Sequence, residues 1–272
     1  MTSQTTLLFL HAHPDDESIL TGASIAQAKE AGARVIVAFA TRGDAGETSA
    51  DLGNETLGER RETEARAACE TLGVDRVLFL EFDDSGMADT DTTSNPSAFC
   101  NANLDEVAVR LSMPLLNETI HGVVGYDRNG TYGHPDHIKI HEAAHYVAPV
   151  LKAEWVFDAT YNREYMQSLR DGGYENIDEN FASAANELTH FIEGPSVFAA
   201  KLAALLHHES QTPDDFDPAS EEMLEQFATQ FGTEWYIAAP VPPADSADAS
   251  ADFSRFESIF EPAAAWSGSS SV

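Results

Sequence analysis

TLLFLHAHPDDESILTGASIAQAKEAGARVIVAFA (residues 6–40) sets two apolar runs, TLLFLHA (6–12) and RVIVAFA (34–40), around a helical pattern, ILTGASIAQAKEAG (19–32). Both runs are nearly continuous in apolar residues, as expected for strands covered on both faces. Gly32 closes the helix between them. Strands joined through a helix run parallel, with a right-handed crossover.

The same alternation continues outward from this unit. LGERRETEARAACETLG (57–73) reads as a helix, RVLFLEF (76–82) as a third strand, and about 103–117 as a helix. GVVGYD (122–127) is a fourth strand, a helix lies near 138–148, and EWVFDATY (154–161) is a fifth strand. The predicted fold is α/β: a Rossmann-like, doubly wound, mostly parallel sheet with helices on both faces, its core over about 5–162. An irregular, α-rich C-terminal extension covers 163–239, with helices at about 195–209 and 219–230, and completes one domain of 1–239. PVPPADSADASADFS (240–254) is rich in Pro, Ala and acids, so 240–272 is expected to be a tail, disordered at SGSSSV.

Charge narrows the function. Against 46 acids stand 15 basic residues, a net charge of −31, and beyond Arg170 only Lys201 and Arg255 are basic. That excludes nucleic acid and anionic membranes as expected partners, since both attract basic surface. One reading of the bias is adaptation to high salt, where counterions screen self-repulsion; the other is ordinary solubility charge. Two cysteines, Cys69 and Cys100, make neither a disulfide framework nor a thiolate metal site. No apolar run reaches membrane-spanning length and no basic n-region precedes the first strand, so a cytoplasmic location is expected.

In open α/β sheets ligands sit beyond the carboxyl ends of the strands, where strand order reverses. A sheet ordered 3-2-1-4-5 puts strands one and four at that crevice. HAHPDDE (11–17) follows strand one, and YDRNGTYGHPDH (126–137) follows strand four. A helix cap accounts for one Asp; two His/Asp clusters at adjoining strands exceed what capping needs. His13-x-x-Asp16 and His134-x-x-His137 each place two side chains three apart across a Pro-containing turn, where they can converge. His and Asp suit Zn²⁺, and three protein ligands with an open water position mark a catalytic ion. Asp15–Asp16 then supplies one acid for the metal and one for the proton. His137, His141 and His145 form a stripe at i, i+4, i+8, in which an H-x₃-H pair can itself bind zinc, but the His-Glu-x-x-His order of zinc proteases is absent and three stacked histidines more often line a polar or packed face. His11 reads as a core histidine, and His207 and His208 as packing residues, with an approach of one of them to the site as the alternative.

AHPDDE together with GHPDH resembles the LmbE-like, or PIG-L, family of zinc-dependent N-acetylglucosaminyl deacetylases. TRGDAGE (41–47), Arg61-x-x-Glu64 and KLAALLHHESQ (201–211) are similar to family patterns as well. HAHPDDES, DSGMADTD (84–91) and YDRNGTYGHPDH resemble its mycothiol-pathway branch, which deacetylates N-acetylglucosaminyl-inositol. The resemblance implies Zn²⁺ held by His13, Asp16 and His137, with Fe²⁺ suiting the same ligands. It implies Asp15 as general base, His134 as general acid and electrostatic helper for the tetrahedral intermediate and leaving amine, oriented by Asp136, and Tyr132 as a donor to the oxyanion. Arg61, Glu47 and Asp84 match positions that contact the sugar or inositol. Their plainer alternatives are an ion pair of Arg61 with Glu64, a loop charge at Glu47 and a turn residue at Asp84.

The implied activity is zinc-dependent hydrolysis of the acetamide of an N-acetylglucosaminyl glycoside, a small-molecule partner, with homo-oligomerisation left open. The nearest alternative is a mycothiol S-conjugate amidase, where Pro is expected in place of Gly133. Deacetylation of another N-acetylated sugar and a non-catalytic sugar-binding module are further alternatives. A nucleotide-binding Rossmann protein is disfavoured, because HAHPDDE replaces G-x-G-x-x-G and its carboxylates would repel a pyrophosphate.

Overall fold

The apolar runs become strands in the computed structural model, which describes residues 4–88, 90–172, 181–213, 216–242 and 252–267. β1 (Thr6–His11), β2 (Arg34–Phe39), β3 (Arg76–Phe79), β4 (Gly122–Tyr126) and β5 (Trp155–Thr160) lie parallel in the order β3-β2-β1-β4-β5. Leu8 of β1 sits opposite Ile36 of β2 and Val123 of β4. Every residue of β1 and β4 is buried, as their unbroken apolar character requires, whereas the edge strand β3 is half-buried.

The helices are α1 (Asp16–Ile19), α2 (Gly22–Glu30), α3 (Leu57–Thr71), α4 (Leu104–Ser112), the single turn α5 (Gly130–Gly133), α6 (Pro135–Val150), α7 (Arg163–Asp171), α8 (Pro195–Leu205) and α9 (Glu221–Phe231). The helix expected over 19–32 is thus two, broken at Thr21, whose Oγ1 bonds His11 Nε2 and the Glu17 carbonyl. α6 starts three residues before the expected 138, because Pro135 occupies its first turn, where a missing N–H matters least. α3 opens with a capping box between Thr56 and Glu59.

The C-terminal extension is not simply α-rich. β6 (His190–Ile192), β7 (Glu234–Pro240) and β8 (Glu261–Pro262) continue the sheet antiparallel beyond β5, giving eight strands in the order β3-β2-β1-β4-β5-β7-β6-β8. Nor is 240–272 a tail throughout. β7 runs across the expected boundary at 239, and Phe256, Ile259 and Phe260 are buried in the main core. The Phe260 ring stacks on Phe157 at 4.3 Å between centroids. Three apolar side chains in SRFESIF do this packing, and the surrounding acids and alanines hide them from a compositional reading. The most Pro/Ala/acid-rich stretch (243–251) and the last five residues lie outside the described ones.

A buried ion pair closes this arrangement. Lys201 Nζ of α8 donates to Glu234 Oε1 of β7 at 2.9 Å, and the backbone N–H groups of Ala23 and Ser24 donate to the same carboxylate. Glu234 therefore caps the N-terminus of α2 from the far end of the chain. Among the described residues no helix is long and apolar enough to cross a membrane, and Cys69 and Cys100 are both free thiols.

Candidate active site

Leaving β1, the chain turns sharply at Asp15, whose φ of 105° lies in a region that non-glycine residues rarely occupy. The turn is held from several directions. Asp15 N–H donates to Glu17 Oε2 at 2.9 Å, and the Asp15 carbonyl accepts from Ser18 and Ile19. Arg61 Nη2, reaching across from α3, donates to the Pro14 carbonyl at 2.5 Å and to Asp15 Oδ2 at 3.2 Å. The result separates two neighbouring carboxylates: Asp16 folds back to accept from His13 N–H at 2.9 Å, and Asp15 faces the cleft.

The loop after β4 is built around Asp127. Its Oδ1 accepts from the N–H groups of Asn129 and Thr131, and its Oδ2 from Thr160 and Ser183. Thr131 stands at φ 59°, strained for a β-branched residue. Gly130 cannot be replaced cheaply: a Cβ there would lie 2.7 Å from Ile138 N and 2.9 Å from His137 Cβ. This close approach presses the start of α6 against the loop and turns His137 inward.

Three of the sequence-predicted residues meet at the crevice between β1 and β4. Asp16 bridges two imidazoles, with Oδ2 3.6 Å from His13 Nδ1 and Oδ1 3.4 Å from His137 Nε2. Each imidazole is fixed through its other nitrogen. His13 Nε2–H lies 3.2 Å from Asp136 Oδ2 and 3.4 Å from Asp84 Oδ1, and His137 Nδ1 lies 3.2 Å from Thr131 Oγ1. Such outer bonds orient metal-binding histidines and choose the free nitrogen. The donor set fits a divalent cation on chemistry as well. Asp16, Asp84 and Asp136 gather buried negative charge around His13, so bonds to these acids hold His13 well above its ordinary pKa although burial opposes the charged form. Asp16 is held well below the usual carboxylate range by His137 and His13, again against burial.

Asp136 does not orient His134 with its carboxylate. That group accepts from His13 and from Ser85 N–H at 2.9 Å, while the Asp136 backbone N–H donates to His134 Nδ1 at 3.1 Å. The proton of a neutral His134 therefore sits on Nε2. Burial, with His13 and His137 behind it, pushes the His134 pKa down to about 4. Burial drives Asp15 the opposite way for an acid, up to about 6, against the pull of Arg61. Tyr132, its hydroxyl 3.3 Å from His137 Nε2, is pushed well above the usual phenol range by burial and then by Asp16 and Asp15, so it remains a donor.

The cleft over these groups measures about 580 Å³, and Glu47, Arg61 and Asp84 all contribute to its wall. Arg61 does not pair with Glu64: it bonds Gly43 O, Pro14 O and Asp15, while Glu64 accepts from Ser210. Asp84 accepts from Ala45 and Gly86 N–H groups as well as from His13, which makes it a support for the centre as much as a wall. Glu47 is exposed at the rim. His11 is a satisfied core histidine, bonded to Tyr126 OH and Thr21. Glu17 and Thr131 escaped the sequence reading of the site, and His208 stands nearer to it than the packing reading gave. Glu17 is fully buried beneath Asp15 and accepts from His208 Nε2 at 2.6 Å, and Thr131 fixes His137. Glu17 and His208 were visible in PDDE and HHESQ, but their pairing across 191 positions was not.

Known proteins resemble this chain in sequence and in fold. Residues 8–148 match the family model described as PIG-L, GlcNAc-PI de-N-acetylase. A 1D-myo-inositol 2-acetamido-2-deoxy-alpha-D-glucopyranoside deacetylase of Salinispora arenicola is 33% identical over 267 residues, covering 86% of this chain and 85% of that protein. A protein of Saccharopolyspora erythraea, named as deacetylase 2 for the same compound, is 36% identical over 234 residues, 77% of this chain and 85% of its own. Among solved structures, N,N'-diacetylchitobiose deacetylase from Pyrococcus horikoshii shares the fold with a TM-score of 0.60 at 20% identity, covering 88% of this chain and 85% of that one. Matched by the family model over the segment that builds the crevice, and by these relatives over most of its length, the chain belongs to the PIG-L family of de-N-acetylases.

Proposed function

We propose that the protein hydrolyses the acetamide of N-acetylglucosaminyl-inositol, releasing acetate and the free amine. The observation that carries this reading is the convergence of His13, Asp16 and His137 beneath a cleft into which Asp15, Tyr132 and His134 face. In this reading His13, Asp16 and His137 hold Zn²⁺, or Fe²⁺ on the same ligands. When bound, the ion supplies Lewis acidity, polarising the acetamide carbonyl and acidifying a water. Asp15 takes the proton of the attacking water, and Tyr132 donates to the oxygen on which negative charge develops. His134, with Nδ1 occupied by the Asp136 N–H, offers its Nε2 proton as a hydrogen bond to the same region. That bond replaces the general-acid role expected for His134. Asp15, protonated by the first step, is then the group that returns a proton to the leaving nitrogen. Arg61 holds Asp15 in place, and Glu47 reads hydroxyls at the rim.

Gly133 favours this reading over a conjugate amidase. Its φ of 87° is inaccessible to the proline expected in that branch. The net charge of −31 is read here as adaptation to high salt. The test is acetate release by the zinc-loaded protein from N-acetylglucosaminyl-inositol and from free N-acetylglucosamine, each at low and high salt. Faster turnover of the glycoside, rising with salt, is expected. Equal rates would remove the inositol from the proposal, and hydrolysis confined to a larger amide would replace it.

Asp136→Asn is expected to weaken ion binding by ~10–100-fold, because the bond that orients His13 loses its charge. Competition with a chelator measures this, and unchanged affinity would mean that Asp136 does not support the centre.

A further inference from the structure

α6 carries three histidines along one stripe, and the reaction centre uses only the first. One and two turns after His137, His141 and His145 converge instead on Asp158 of β5. His145 Nε2 lies 2.9 and 3.1 Å from the two Asp158 carboxylate oxygens, and His141 Nδ1 lies 3.6 Å from Oδ1. The two imidazole centroids are 4.5 Å apart. One nitrogen from each ring and one Asp158 oxygen all fall within 4.8 Å of one another.

These spacings are those of a chelating set. A tetrahedral ion with bonds of about 2.0–2.1 Å separates its donor atoms by about 3.4 Å, so small side-chain rotations close the three groups around one point. The backbone is already committed. The histidines stand at i, i+4 on one helix, and Asp158 is fixed on a strand that pairs with both β4 and β7. His141 Nδ1 also lies 2.9 Å from the Tyr126 carbonyl, so an ion held through this nitrogen takes the place of that bond. Asp158 is buried, while the His145 side chain is 39% exposed, which leaves a path from solvent. A lone ion pair would need one histidine; here two imidazoles attend one buried carboxylate.

We propose that His141, His145 and Asp158 form a second divalent-cation site, selective for ions of the Zn²⁺, Co²⁺ and Ni²⁺ class, with three protein ligands and a position open to water. Nitrogen donors exclude Mg²⁺ and Ca²⁺ as preferred occupants. The ion would join α6 to β5. Because the first turn of α6 carries Asp136 and His137, with His134 as its cap, occupancy would stiffen the helix that builds half of the reaction centre.

The test is ion stoichiometry on the full-length chain, by equilibrium dialysis against Zn²⁺ with elemental analysis. Two ions per chain are expected for the unmodified protein and one for His141→Asn/His145→Asn, which should still release acetate. Asp158→Asn is the second variant, for use if the double substitution impairs folding. Removing the other centre with His13→Asn/His137→Asn should leave one ion, whose Co²⁺ form absorbs in the visible and disappears when His145→Asn is added. A single ion in the unmodified protein, or a second ion indifferent to both His145→Asn and Asp158→Asn, would overturn the proposal. The outcome is separable from the proposed reaction: two ions without acetate release would sink the deacetylase reading alone, and one ion with acetate release would sink this one alone.

Discussion

Asp15→Asn is expected to lower kcat by roughly 10²–10⁴-fold, the usual worth of a positioned general base, while the ion and the fold are retained. The substitution keeps the shape of the side chain and its bond to Arg61 Nη2, through the amide oxygen, so the strained turn at φ 105° persists. It leaves His13, Asp16 and His137 untouched. What it removes is the only carboxylate in the pair that is turned to the cleft, since Asp16 is occupied by His13 and His137. KM should move little, because Asp15 is assigned to the attacking water and the leaving nitrogen. Steady-state acetate release together with metal content decides the matter. A variant that keeps its ion and more than about a tenth of the original kcat, against the range above, would take the base role away from Asp15.

Lys201→Met should destabilise the chain by ~3–5 kcal/mol, the range measured when one partner of a buried pair is removed. Lys201 and Glu234 are 1% and 3% exposed, so neither charge can turn to water for compensation. Burial depresses the Lys201 pKa, and the Glu234 charge opposes that pull. With the ammonium gone, the Glu234 carboxylate keeps the N–H groups of Ala23 and Ser24 but loses its counter-charge. Adding Glu234→Gln should restore part of the loss, since the amide oxygen still accepts while the stranded charge disappears. Denaturant unfolding checks both variants. A loss under about 1 kcal/mol for Lys201→Met, well below that range, would mean that the pair is solvated in practice.

How far the sequence could be read depended on how local the governing forces are. β1, β2, β4 and β5 were legible because strands buried on both faces must be apolar along their length, and TLLFLHA, RVIVAFA, GVVGYD and EWVFDATY are. That HPDD and GHPDH share one crevice was legible from strand order, whereas the choice of His13, Asp16 and His137 within them was implied by the family resemblance. β6 and β8 were not, because strands of three and two residues are specified by their partners more than by themselves. The outer bonds were hidden for a similar reason. Which way the Asp136 carboxylate turns depends on Ser85 N–H and His13, far away in sequence, and no spacing rule reports it. The plainer reading of Arg61, an ion pair with Glu64 one turn on, does not hold, because acceptors on the loops after β1 and β2 take its guanidinium instead.

The contacts of Glu17 with His208 and of Ser24 with Glu234 tie the first helices to residues 191 and 210 positions later. Chains rich in such distant pairings fold slowly, since long loops must close before the contacts reward it. On the ribosome, the loop that bears Asp15 and Asp16 emerges early, but Glu17, which holds its turn, gains its partner only when His208 has followed it out. During that interval HPDDE is an unsupported acidic segment without its fixed turn. The turn at Asp15 and the start of α2 are therefore completed by residues far along the chain, and neither is a locally autonomous unit.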